Sequence, residues 1–270
     1  MTASEDVANL RARVEAIEWY HTLELGEGIA TAGWFDLRRV AGTLPWPDLR
    51  GRRCLDVGTF DGFWAFEMER RGAAEVVAID LIDPSRWDWP AMPKEEVIAA
   101  VGKRKGEGQG FQIAHAALGS NVRRIEMSVY DLDPEMVGRF DVVYVGSLLL
   151  HLRDPVLALE RVCGVCSGEV LVVDAIDVML SLMLPKTPLA ILDGRQRPWW
   201  WKPNIAGLVR MVEAGGFDVV GRPQRVFMPP GRGQQRPRVR PRLLASRLGR
   251  EALVRAWKGD PHAAVRGKPR

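Results

Sequence analysis

The stretch Leu55-Asp56-Val57-Gly58-Thr59-Phe60-Asp61-Gly62-Phe63 has the strongest chemical implication in the chain. Glycines at 58 and 62 permit a tight turn and a close backbone approach to a ligand, and a helix starting there would present free N–H groups. Asp80 follows Gly58 by 22 residues. A carboxylate at that remove, closing the next strand, can accept hydrogen bonds from both hydroxyls of a ribose. The two features together carry far more information than the glycines alone. A dinucleotide site wants a glycine in the middle of the turn, where the backbone meets a pyrophosphate. Phe60 stands there and would crowd that approach, and Asp56 would repel the phosphates. An acid at position 56 suits a ligand with an ammonium group, such as the methionine end of S-adenosylmethionine.

These residues need a scaffold, and the chain supplies one from Arg53 onward. Short Val/Ile-rich runs at residues 53–57, 75–80, 125–129, 140–145 and 169–173 alternate with helical patterns, which predicts a parallel sheet with crossover helices. Helices are predicted over residues 62–71, stopped by Gly72, and 204–214, stopped by Gly215-Gly216. Residues 217–220 and 224–228 read as two further strands. Only Gly221-Arg222-Pro223 links them, too short for a helical crossover, so an antiparallel pair is expected. Ser4 is placed to cap an N-terminal helix with apolar Val7, Leu10, Val14 and Ile17. Three segments are expected: a helix and aromatic lid over 1–49, the sheet domain over 50–230 with an insertion at 177–203, and a basic, flexible tail over 231–270.

Several of these residues resemble the motifs of class I S-adenosylmethionine-dependent methyltransferases. Leu55-Asp56-Val57-Gly58 is similar to that family's first motif, and Asp80 to its ribose-binding acid. Tyr130-Asp131 resembles the segment that frames the adenine, with Asp131 placed to accept from its amino group. Gly146-Ser147-Leu148-Leu149-Leu150-His151 resembles the stretch beneath the methyl donor, and Gly216-Phe217 the entry to the last two strands. Covering residues 50–230, the resemblance implies an α/β Rossmann-like methyltransferase fold. Its sheet would have seven mostly parallel strands, the last antiparallel, with helices on both faces. It further implies S-adenosylmethionine as cofactor, held by Asp56, Gly58, Thr59, Phe60, Gly62, Asp80, Leu81, Tyr130, Asp131, Gly146 and Ser147. Thr59 and Phe60 depart from the family's glycine loop.

A narrower resemblance concerns Trp19-Tyr20-His21, Gly33-Trp34-Phe35-Asp36 and Leu150-His151-Leu152-Arg153-Asp154-Pro155. These look like the branch containing tRNA wobble-uridine modifying enzymes. Some members of that branch use a carboxylated donor and place a tyrosine immediately before the histidine; here Leu150 stands in that position. The departure argues for ordinary methyl transfer and against carrying over the tRNA substrate.

Methyl transfer from a sulfonium is an in-line displacement of an already activated group, so positioning and exclusion of water can supply most of the rate. A base is needed only for a poorly ionised acceptor such as a hydroxyl. His151 and His21 are the candidates, each with packing as the alternative; His115 and His262 read as incidental. Trp199–Trp201 could stack an acceptor or cover the sheet edge, and Arg195 and Arg197 could hold an anionic one or be solvated. Cys163 and Cys166 form a lone Cys-x-x-Cys without a second pair, which reads as two small buried side chains.

Net charge is +4, yet residues 231–270 hold ten Arg and two Lys against Glu251 and Asp260, a local +10 over a body of −6. Such a tail could neutralise RNA phosphates, but the acidic body is a poor RNA platform, so a small-molecule acceptor is favoured over tRNA. Apolar runs are too short to span a bilayer and the N-terminus lacks the order of a signal peptide, so a cytoplasmic protein is expected. The rival classes are a nicotinamide oxidoreductase and a non-catalytic RNA-binding protein on a vestigial cofactor fold.

Overall fold

A computed structural model describes residues 3–92, 95–195, 198–234 and 257–270. Its centre is a seven-stranded sheet: β1 (Arg53–Val57), β2 (Glu75–Asp80), β3 (Arg123–Glu126), β4 (Phe140–Gly146), β5 (Cys166–Ala175), β6 (Phe217–Met228) and β7 (Asp260–Pro269). Their spatial order is β6-β7-β5-β4-β1-β2-β3. Neighbours from β5 across to β3 pair in parallel, and β7 runs antiparallel to both β5 and β6. The order reverses between β1 and β4, which opens a crevice at their carboxyl ends, the usual place for a ligand in an open α/β sheet.

Side-chain alternation divides the core between the two faces. Leu55, Val57, Val77, Ile79, Val143 and Val145 pack on one side against Leu159 and Val162 of helix Pro155–Val165 and Leu208 of helix Ile205–Ala214. Cys54, Val76, Ala78, Val142 and Tyr144 face the other side, against Trp64 and Met68 of helix Phe63–Arg70. The parity places Asp56 on this second face, beside Tyr144, its partner across the β1–β4 ladder.

Three expectations need correction. Residues 217–220 and 224–228 are not an antiparallel pair; they form the single strand β6. Gly221 at φ +74° and Pro223, which has no N–H, produce a register shift between Val220 and Gln224 rather than a reversal. The antiparallel partner is β7, so the sheet domain extends past residue 230 and the last residues of the supposed flexible tail lie inside the sheet. Ala263, Ala264 and Val265 are fully buried there. Arg266 pairs with Glu169 and Arg270 with Asp218, so part of the tail's basic charge is matched within the fold. Finally, the N-terminal helix spans Ala3–Glu15 and so begins ahead of Ser4. Arg197 and residues 235–256 of the tail lie outside the described residues, and Trp257 is exposed.

The insertion contains helix Val178–Met183 and a hairpin of Ala190–Leu192 with Trp201–Pro203. Asn204 fastens it: its Oδ1 accepts from Leu189 and Gly207, and its Nδ2 donates to the carbonyls of Leu184 and Thr187.

Candidate active site

At the end of β1 the chain turns over β2. The N–H groups of Gly58 and Thr59 both donate to the Ile79 carbonyl, at 2.9 and 3.1 Å. Gly58, Phe60 and Gly62 all have positive φ. Phe60 at +52° lacks glycine's freedom, as does Ser147 at +49° after β4. Strained backbone at the ends of two adjacent central strands is the kind of feature that persists at functional sites. At Gly62 any Cβ would stand 2.4 Å from the Phe66 ring and 2.9 Å from Phe111. Gly62→Ala is therefore expected to cost about 2–3 kcal/mol in denaturant unfolding, through clash and φ strain together.

Asp56 is 1% exposed, and burial pushes its carboxyl up to about 7. Thr59 Oγ1 lies near enough to oppose that rise, though outside hydrogen-bonding geometry. Among the described residues Asp56 Oδ2, Thr59 Oγ1 and the Tyr144 hydroxyl have no hydrogen-bond partner, although all three are buried. Buried polar atoms left in this state are costly; clustered at one strand end, they fit a polar, cationic ligand group.

Asp80 closes β2. Its Oδ2 accepts from the Phe60 N–H at 2.8 Å and pairs with Lys105, while Arg124 stands 3.9 Å away. Leu81 follows, its carbonyl accepting from the Trp87 indole. On the β3 side, the Tyr130 hydroxyl donates to Asp88 at 2.7 Å and accepts from the Asp154 N–H, so it joins two loops; Asp131 is exposed. Gly146 admits no Cβ, which would meet the Tyr144 ring.

After β4 the chain is organised by Asp174 on β5, which accepts N–H groups from Leu148, Leu149, Leu150 and Ala175. Burial still lifts its carboxyl to about 6 against those four donors. Ser147 Oγ lies 2.9 Å from His262 Nε2, and His262 Nδ1 donates to the Asp260 carbonyl, so Nε2 accepts the serine proton. His151 Nδ1 donates to the Pro198 carbonyl at 2.6 Å; burial lowers its pKa to about 4 and keeps it neutral. His21 is buried, and its Nδ1 donates to Asp61, whose other oxygen accepts the N–H groups of Tyr20 and His21. His151 thus carries its proton on Nδ1 and presents Nε2 as an acceptor, while the His21 ring is oriented by Asp61.

Trp200 and Trp201 donate their indole N–H groups to the carbonyls of Asp88 and Arg153, walling the loop that carries His151, while Arg195 is exposed. Cys166 is buried, its thiol pushed up to about 11, and Cys163 is raised likewise. Asp61, Lys105 and Asp174 are given no role in the sequence reading, and His262, read there as incidental, bonds Ser147. Asp174 could have been given one, because Val172-Val173-Asp174 repeats the strand-end acid of Asp56 and Asp80.

No protein-family model matches the chain. It is similar to the tRNA U34 carboxymethyltransferase of Azotobacter vinelandii, 30% identical over 179 residues, 64% of this chain and 47% of that protein. It is also similar to the ubiquinone biosynthesis O-methyltransferase of Neisseria meningitidis, 36% identical over 122 residues, 43% of this chain and 40% of that protein. The chain thus spans about half the length, or less, of these curated relatives. Among solved structures it matches the N-terminal domain of EvdMO1, determined in the presence of SAH and D-fucose, with a TM-score of 0.55 at 16% identity, covering 100% of this chain and 98% of that one.

With β7 antiparallel in a seven-stranded sheet, the chain has the Rossmann-like fold of class I methyltransferases. By name, one of these relatives is a carboxymethyltransferase of tRNA U34 and the other an O-methyltransferase of ubiquinone biosynthesis.

Proposed function

We propose that the chain transfers a methyl group from S-adenosylmethionine to a hydroxyl or similar nucleophile of a small molecule. The observation that carries this reading is the pair of acids, Asp56 and Asp80, ending adjacent strands on either side of the strained Gly58–Gly62 turn. Asp80 would take the ribose hydroxyls and Asp56 the ammonium end. The Gly58, Thr59, Phe60 and Gly62 backbone would line the turn between them, with Leu81 and Asp131 towards the base and Gly146 and Ser147 below the sulfur. The bound donor supplies an already activated methyl.

The residues around it orient the acceptor, exclude water and receive the acceptor's proton. His21 suits the last role, with Asp61 fixing its Nδ1 proton and leaving Nε2 free to accept; His151 has the same tautomer, but burial makes it a weak base. Calorimetry with S-adenosylhomocysteine tests the donor site. Asp80→Asn is expected to weaken binding about 50–100-fold, the loss of two charge-assisted hydrogen bonds; full affinity in a folded variant would sink the assignment.

Similarity to tRNA U34 carboxymethyltransferases favours a second reading, methyl transfer to tRNA through the basic tail. Against it stand Leu150, in place of the tyrosine found in some members of that branch, and the internal pairing of Arg266 and Arg270. Incubating the protein with labelled donor and bulk tRNA separates the two: no label in tRNA is the expected result.

A further inference from the structure

Lys105 is a conspicuous ion for its position. It ends helix Glu95–Lys105 and is the only buried residue of that helix among those described. Its side chain is 1% exposed, and its ammonium sits on Asp80 Oδ2, 4.2 Å from the centre of the Phe60 ring and 5.8 Å from that of Trp87. The carboxylate oxygen that a ribose would need already holds the Phe60 N–H and this ammonium, with Arg124 close behind. A ribose diol reaching both carboxylate oxygens would have to share Oδ2 with this ammonium.

The segment after Lys105 is built to turn. Gly106, Glu107 and Gly108 follow one another at φ +49°, +52° and +79°, three consecutive left-handed residues between two helices. Nothing lies within 4 Å of where a Gly106 Cβ would be. Burial of a lysine is itself expensive, even when paired, so the contact holding the helix end is one that ribose hydroxyls can replace. Resting on the donor reading above, we propose that Lys105 occupies the ribose position of the free protein and is expelled, with the end of its helix, when the nucleoside binds. The movement reaches the acceptor side as well, because Lys103 pairs with Glu18 and the Arg104 guanidinium lies 3.4 Å over the Trp34 ring, both in the segments flanking His21.

Lys105→Met removes the competing charge and keeps the stem. By calorimetry it is expected to bind S-adenosylhomocysteine about tenfold more tightly than the wild type, as when the open state is about one-tenth populated beforehand. Equal or weaker binding overturns the proposal and leaves the donor reading standing; a Lys105 that steadies the ribose would behave so. Should the variant fail to fold, acetylation of wild-type lysines by an N-hydroxysuccinimide ester, read by mass spectrometry, decides. Lys105 should be protected in the free protein and modified faster once S-adenosylhomocysteine saturates it, and unchanged or slower modification overturns the proposal. If neither protein binds S-adenosylhomocysteine, the donor reading falls and takes this one with it.

Discussion

Asp56→Asn should make the free protein more stable at pH 8 and, in the same sample, weaken S-adenosylhomocysteine binding about 100-fold, the loss of a buried charge-assisted contact. The carboxyl is 1% exposed and burial raises its pKa from 3.8 to about 7. Because the folded value lies above the unfolded one, the native state holds the proton more tightly between about pH 4 and 7. Stability therefore declines as pH climbs through that window, and the whole penalty is present above it. At 1.36 kcal/mol per pH unit the penalty is bounded at about 4 kcal/mol. An amide keeps the shape and removes the charge, so about 2–3 kcal/mol should return at pH 8 after the amide's own desolvation. Urea unfolding of both proteins at pH 4 and pH 8 checks this. The gain should appear at pH 8 and vanish at pH 4; parallel pH profiles would refute it. Donor affinity of the wild type should likewise fall below pH 7, as Asp56 takes up its proton, while the variant's stays flat.

Removal of residues 260–270 should abolish the cooperative fold altogether. β7 is hydrogen-bonded along both edges, to β5 from His262 to Gly267 and to β6 from Asp260 to Pro269. Its loss would uncover Val170 and Val172 of β5, both fully buried, and Phe217 and Val226 of β6. β6 lies one strand further out and would lose the strand that joins it to the rest of the sheet. Near-ultraviolet circular dichroism and a thermal scan of the truncated protein should show no sharp transition. Arg266→Gln with Lys268→Gln is the control: it keeps the strand and removes only partly exposed ion pairs with Glu169, worth about 1 kcal/mol or less. A truncated protein that melts like the wild type would contradict the central place of β7.

Features written in short stretches of sequence were the legible ones. The turn at Gly58–Gly62 and the acids at 56 and 80 sit at consecutive strand ends, where periodicity and spacing give their positions directly. The antiparallel strand was expected but assigned to the wrong residues. Its core, Ala263-Ala264-Val265, is small-sided and embedded in Arg/Pro-rich surroundings that read as tail, while Gly221-Arg222-Pro223 imitates a hairpin turn. Pairings across long separations left no local trace. Asp61 meets His21 forty positions away, and Ser147 meets His262 at a separation of 115. Lys105, one cation among several at a helix end, had nothing in its neighbourhood to mark it as the residue that turns inward.

The insertion of β7 between two strands that precede it also sets an order of events during synthesis. While the ribosome is still producing residues 229–259, β5 and β6 exist without the strand that joins them, and β5 offers a bare apolar edge. Such edges recruit other chains, and pairing that must wait for distant sequence is slow. The interval between Met228 and Asp260 is thus one in which the nascent chain carries that uncovered edge, and slowing translation there would lengthen it.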